Sequence, residues 1–168
     1  MKQAPRGRHD GRGLRVALLR ARFNPAVVDG LVEGALLCLE EMGAARAGID
    51  VLDVPGSFEL PLAAQAAARS GRYDAVVALG AVIKGETDHY EHVAREASSG
   101  LATVARETGV PVGFGVLTVA QEEQALSRSA AGPGNKGAEA ARAAVAMVHV
   151  VRSFGRTRVA RGSKTGSA

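Results

Sequence analysis

The sequence predicts a three-layer α/β/α sandwich around a four-stranded parallel sheet, and three observations predict it. Short apolar runs alternate with stretches of helical periodicity in the order β-α-β-α-β-α-β-α-α. Alternation of this kind joins parallel strands through right-handed crossovers and puts helices on both faces of a sheet. The run "DAVVALGAVI" at 74–83 is apolar almost throughout, as suits a strand covered on both sides.

The first strand is read at 14–21, "LRVALLRA", ended by "FNP". Pro25 suits the first turn of a helix, with Asn24 as its cap. Val28, Leu31, Val32, Ala35 and Leu39 then recur at helical spacing while Asp29, Glu33 and Glu40 face outward. Gly43 ends that helix. "IDVLDV" at 49–54 is the second strand, closed by Pro55 and Gly56, and a helix follows over 57–70. Pro61 fits there because it lies near the first turn. After the third strand a helix spans 88–108 and stops at Gly109, ahead of Pro111. "VGFGVLT" at 112–118 is the fourth strand, and helices over 121–130 and 137–152 close the domain.

With 168 residues and 46% hydrophobic content the chain is long enough for one domain with its own core. No internal repeat or second boundary interrupts it. The domain is read as 14–154, between basic tails at 1–13 and 155–168 that lack apolar periodicity and are expected to be disordered. The net charge of +4 belongs to these ends: residues 1–15 and 152–168 each carry five basic side chains, with one acid between them. The remaining 11 basic and 16 acidic residues give the intervening chain a net −5. A nucleic-acid partner is therefore not expected, and the tails are read as solubilising. No apolar stretch is long enough for a membrane span. Arg20 and Arg22 interrupt what would be a signal peptide's apolar region, so a cytoplasmic protein is expected. Cys38, the single cysteine, lies in an apolar helical pattern and reads as a buried small side chain.

Ligands of such sheets bind where strands lead into helices. That rule gathers four segments on one rim: Phe23-Asn24, residues 55–59, residues 80–89, and the fourth strand from Phe114 to Thr118. Gly85-Glu86-Thr87 precedes a helix opened by Asp88 or His89, whose free amides and dipole suit a phosphate or another anion. An imidazole has an ordinary pKa near 6.5 and moves protons at neutral pH; His89 is placed for that role or is simply a surface residue at a helix end. Ser57-Phe58-Glu59 adds amide donors and a carboxylate, and Phe23 an exposed ring for stacking. These residues describe a site for a planar polar molecule beside an anion and name no reaction. "GPGNKG" spells G-x-G-x-x-G but lies between two helices, not between a first strand and its helix, and no dinucleotide site is read there. His89 and His92 share a helix face without a third ligand, so no metal is expected.

The segments "RFN", "VPGSFELP", "VVALGAVIKGETDHY", "GVPVGFGVLT", "EEQAL" and "GNKGAEAA", in this order, resemble lumazine synthases, over about Leu14 to Phe154. The resemblance implies a flavodoxin-like fold without cofactor or metal. It implies condensation of 5-amino-6-(D-ribitylamino)uracil with 3,4-dihydroxy-2-butanone 4-phosphate, giving 6,7-dimethyl-8-ribityllumazine, phosphate and water. By position, Phe23 would stack on the uracil ring. Ser57, Phe58 and Glu59 would bind the ribityl chain, and Ala81, Val82 and Ile83 would line the pyrimidine pocket. Glu86 and Thr87 would form the phosphate turn, and His89 would transfer protons. Phe114, Arg128 and Lys136 match residues given by a neighbouring subunit, Arg128 to the phosphate and Lys136 near the condensing substrates. Lys84 stands where the family often has arginine, and Glu86 would contribute its amide with its carboxylate turned outward. The resemblance further implies a homo-oligomer with sites between subunits, a ring of five. The short 128–136 loop is compatible with packing such rings into an icosahedral shell. A non-catalytic lumazine- or flavin-binding module on the same scaffold is the competing reading.

Overall fold

The computed structural model describes residues 9–160, with side chains to residue 155. The chain runs β1 (Val16–Ala21), α1 (Pro25–Glu41), β2 (Ile49–Val54), α2 (Leu60–Arg69), β3 (Ala75–Ile83), α3 (His89–Thr108), β4 (Val112–Val119), α4 (Glu122–Ser129) and α5 (Lys136–Ala160). The four strands are parallel in the order β2-β1-β3-β4, and this flavodoxin-like α/β arrangement is the one the sequence predicts.

Strand alternation divides the core in two. Val16 and Leu18 of β1 with Val77 and Leu79 of β3 point toward α1, α4 and α5, where Leu31, Leu39, Ala141 and Val145 meet them. Ala17, Leu19, Val76 and Ala78 point the other way, onto Leu60 and Ala64 of α2 and Leu101 of α3. This is why β3 reads as an unbroken apolar run: every residue but Ile83 is buried. β2, at the sheet's edge, is exposed in its middle. The small residues let layers approach closely: the space a Cβ at Gly137 would need is filled by the Leu31 backbone, which seats α5 on α1.

Several details differ from the sequence reading. Asn24 precedes α1 but does not cap it, because its backbone is left-handed (φ 55°, ψ 57°) and side-chain capping needs an extended residue. The helix expected over 57–70 begins as one 3₁₀ turn, Ser57–Glu59, before α2. Residues 9–13, placed in the N-terminal tail by composition, are fastened to the domain. The Gly11 amide donates to the Met42 carbonyl (2.8 Å), and the His149 ring hydrogen-bonds the Asp10 carbonyl (2.7 Å). Arg12 beside Asp10 holds that carboxyl well below the usual carboxylate range. At the other end α5 continues past Phe154 to Ala160. The outer parts of both expected tails, 1–8 and 161–168, lie outside the described residues. No helix among the described residues is long and apolar enough to cross a membrane.

Candidate active site

Three strand ends and one helix start build a cavity of about 470 Å³. Phe23 and Asn24 come from the exit of β1, and Gly56, Ser57, Phe58 and Glu59 from the turn after β2. Ala81, Val82 and Ile83 end β3, while His89, His92 and Val93 face in from α3. Parallel strands deliver these segments to one edge because all their carboxyl ends lie on the same side.

Local hydrogen bonds fix the walls. The Asn24 side-chain amide donates to the Ala81 carbonyl at 3.1 Å, bridging β1 and β3. Phe23 is 70% exposed, so its ring face is open to a flat partner. Gly56 keeps Phe23 and Glu59 together: a Cβ there would lie 3.3 Å from both the Glu59 carboxylate and the Phe23 ring. The Glu59 amide already donates to the Gly56 carbonyl, so Glu59 offers its carboxylate and not the backbone donor the sequence reading gave it. Ser57 is only 5% exposed, and its Oγ has no hydrogen-bond partner among the described residues. That hydroxyl lies against Gly80, where a Cβ would come within 2.5 Å of it.

Between β3 and α3 the chain from Lys84 to Asp88 is exposed. No hydrogen bond among the described residues engages the amides of Gly85, Glu86, Thr87 or Asp88. The His89 amide approaches Thr87 Oγ1 at 3.5 Å. Glu86 and Thr87 do not line the cavity; their turn sits between its wall residues Ile83 and His89, with donors free for an anion.

Phe114, Arg128 and Lys136 are not brought to this cavity within one chain. Phe114 lies near the start of β4, opposite Ala78, whereas the wall residues Ala81 to Ile83 pair with Leu117 to Val119. Three residues of strand separate the two levels by about 10 Å. The expected rim position for Phe114 is therefore corrected to the strand's amino-terminal half. Arg128 is exposed on α4 and donates to the Gln124 carbonyl of its own helix at 3.0 Å. Lys136 pairs with Glu139 at 2.6 Å. Four wall residues, Asn24, Gly56, His92 and Val93, were not named as site residues from the sequence, although Asn24 and Gly56 lie in segments it placed on the rim. For His92 the signal was present, since positions i and i+3 share a helix face.

A ring-sized cavity at the carboxyl edge of a parallel sheet, beside a helix start with unbonded amides, marks an α/β enzyme acting on small molecules. The sequence model of the 6,7-dimethyl-8-ribityllumazine synthase family matches residues 13–152. The chain belongs to this family of transferase-type, oligomeric enzymes. Its reaction is lumazine formation in riboflavin biosynthesis.

Proposed function

We propose that the cavity binds 5-amino-6-(D-ribitylamino)uracil and that the turn 85–88 receives the phosphate of 3,4-dihydroxy-2-butanone 4-phosphate. One observation carries this reading: Phe23, Ser57, Phe58, Glu59, Ala81, Val82, Ile83 and His89, from four separate segments, line a single cavity. Phe23 stacks on the pyrimidine, Ala81 to Ile83 form its apolar bed, and the Ser57 hydroxyl and Glu59 carboxylate meet the ribityl hydroxyls. Ser57 Oγ, buried without a partner, gains one when substrate arrives, which favours binding.

The amine of the uracil adds to the butanone's ketone, and the resulting carbinolamine loses water to give an imine. His89 exchanges the protons of these steps. Phosphate departure is eased when free amides hold its growing charge. Holding both reactants together supplies much of the rate, so His89 accelerates the reaction without being indispensable to it.

Phe114, Arg128 and Lys136 are supplied by a neighbouring subunit. None of the three lines the chain's own cavity, and Phe114 and Arg128 are exposed, which supports this arrangement, with Arg128 forking onto the phosphate. A ring of five places each donor against the next cavity, and the compact 128–136 loop favours packing of such rings into a shell; light scattering separates the two sizes. The direct test is to mix the protein with both substrates and follow lumazine absorbance and fluorescence. Turnover in wild type and slower turnover in His89→Ala are expected. Tight lumazine binding without turnover would instead mark a binding module.

A further inference from the structure

The cavity holds a second imidazole to which the mechanism above gives no task. His92 lines it one helical turn after His89, and i, i+3 neighbours have Cβ atoms about 5–6 Å apart on one face. Both side chains are exposed in the single chain. Neither ring is engaged in a hydrogen bond or ion pair among the described residues. An imidazole with a structural role is normally tied to a partner; here two untied rings face the space a substrate would fill.

The chemistry has separate uses for an acid and a base. When the carbinolamine collapses, its C–O bond breaks with the electron pair on oxygen, which takes a proton from an acid and leaves as water, while the nitrogen lone pair closes the C=N bond and the N–H proton passes to a base. Phosphate loss makes the same double demand. The C–H bond beside the imine gives its proton to a base, its pair forms a C=C bond, and the C–O bond to phosphate breaks with its pair on the leaving oxygen, which an acid can protonate. Each step therefore uses an acid and a base together. A single imidazole is one or the other at a given moment, whereas two rings in opposite protonation states serve both ends of each step.

We propose that His92 is a second proton-transfer residue of this site, taking the protonation state opposite to that of His89 at each step. The inference rests on the reading of the cavity as the substrate site. The ionisable groups around His92 are few. Asp88, His89, Glu91, Arg95 and Glu96 stand on or beside its own helix, and Glu59 lies on the facing 3₁₀ turn. β3 and β4 carry no ionisable side chain, and Arg69 of α2 lies near Glu107 at the far end of α3.

The test uses His92→Ala and His92→Gln in the full chain, with assembly verified by light scattering. Turnover of both variants is expected to fall about tenfold or more, with KM for each substrate little changed. Added imidazole should restore His92→Ala toward wild type, and one limb of the kcat pH profile should disappear. Gln keeps the side chain's size and hydrogen bonding, so it carries the test if Ala misassembles. Full activity of either variant overturns the proposal, as does a loss in His92→Ala that imidazole does not repair. A normal rate in His92→Ala with a slowed His89→Ala would sink this inference alone. Normal rates in both, with uracil binding untouched by Phe23→Ala, would sink the reading of the cavity as well.

Discussion

The side-chain amide of Asn24 spans from the end of β1 to the Ala81 carbonyl at the end of β3, a 3.1 Å hydrogen bond between two residues that line the cavity. Asn24 can make it because its backbone sits at φ 55°, a conformation Asn and Gly tolerate and other residues resist. Asn24→Gly should lose the hydrogen bond alone, about 1 kcal/mol. Asn24→Ala should lose roughly 1 kcal/mol more through backbone strain. Urea denaturation of both variants measures this, and an Ala variant as stable as the Gly variant would contradict it.

Gly80 and Ser57 form a second contact with a direct consequence. A methyl at Gly80 would come within 2.5 Å of Ser57 Oγ, so Gly80→Ala must push Ser57 into the cavity. Weaker binding of the uracil substrate is expected, together with a stability loss of about 1–3 kcal/mol. Ser57→Ala in the same chain removes the colliding oxygen, and the double variant should be more stable than the two single losses imply. Strict additivity in a double-mutant cycle would show that the contact is not what limits Gly80.

Asn135 organises the loop between Arg128 on α4 and Lys136 at the start of α5. It is 2% exposed. Its amide shares donors with the carbonyls of Gly30 and Ser129 (both 2.9 Å) and Ala130 (3.2 Å), while its Oδ1 accepts from the Ala138 amide at the start of α5. Asn135→Ala should cost about 2–4 kcal/mol by stranding those groups. Asn135→Asp keeps the acceptor but turns a carboxylate onto buried carbonyls, so it should be no better. A thermal midpoint near wild type for the Asp variant would contradict this account of the loop.

The order of elements was legible because each carries its own periodicity: β3 announces burial on both faces, and Gly43 and Gly109 end their helices with positive φ (88° and 70°). The site was legible to the extent that it follows from topology, since parallel strand ends share an edge. What escaped depends on long-range hydrogen bonds. Asn24 reads as a cap until its left-handed backbone and its bond to the Ala81 carbonyl are seen. Residues 9–13 read as tail until Met42 and His149 fasten them. Phe114 was placed at the wrong end of its strand because "VGFGVLT" does not itself show which residue faces Ala78. His92 was weighed as a metal ligand, a question that hid its position on the cavity wall.

Tyr73 gives a pH-dependent prediction. Its hydroxyl donates to the Asp50 carboxylate at 2.7 Å. That bond, followed by burial and the charge of Asp50, raises the phenol above its ordinary value. A raised folded-state pKa contributes stability that is fully present below the unfolded value of about 10 and lost as pH rises through the folded one. Tyr73→Phe should therefore be less stable than wild type at neutral pH and lose less on going alkaline. Denaturant midpoints at the two pH values decide it; parallel losses in both proteins would count against the Tyr73 assignment.

The central claim is that one chain's cavity is completed by another chain's Arg128. Mixing denatured His89→Ala and Arg128→Ala chains in equal amounts, refolding them together and assaying at limiting butanone phosphate tests it most directly. In a ring, roughly a quarter of the sites then pair an intact His89 with a neighbour's intact Arg128, and activity should exceed the mean of the two separate variants. Activity equal to that mean would place both residues in the same chain's site and contradict the shared-pocket account.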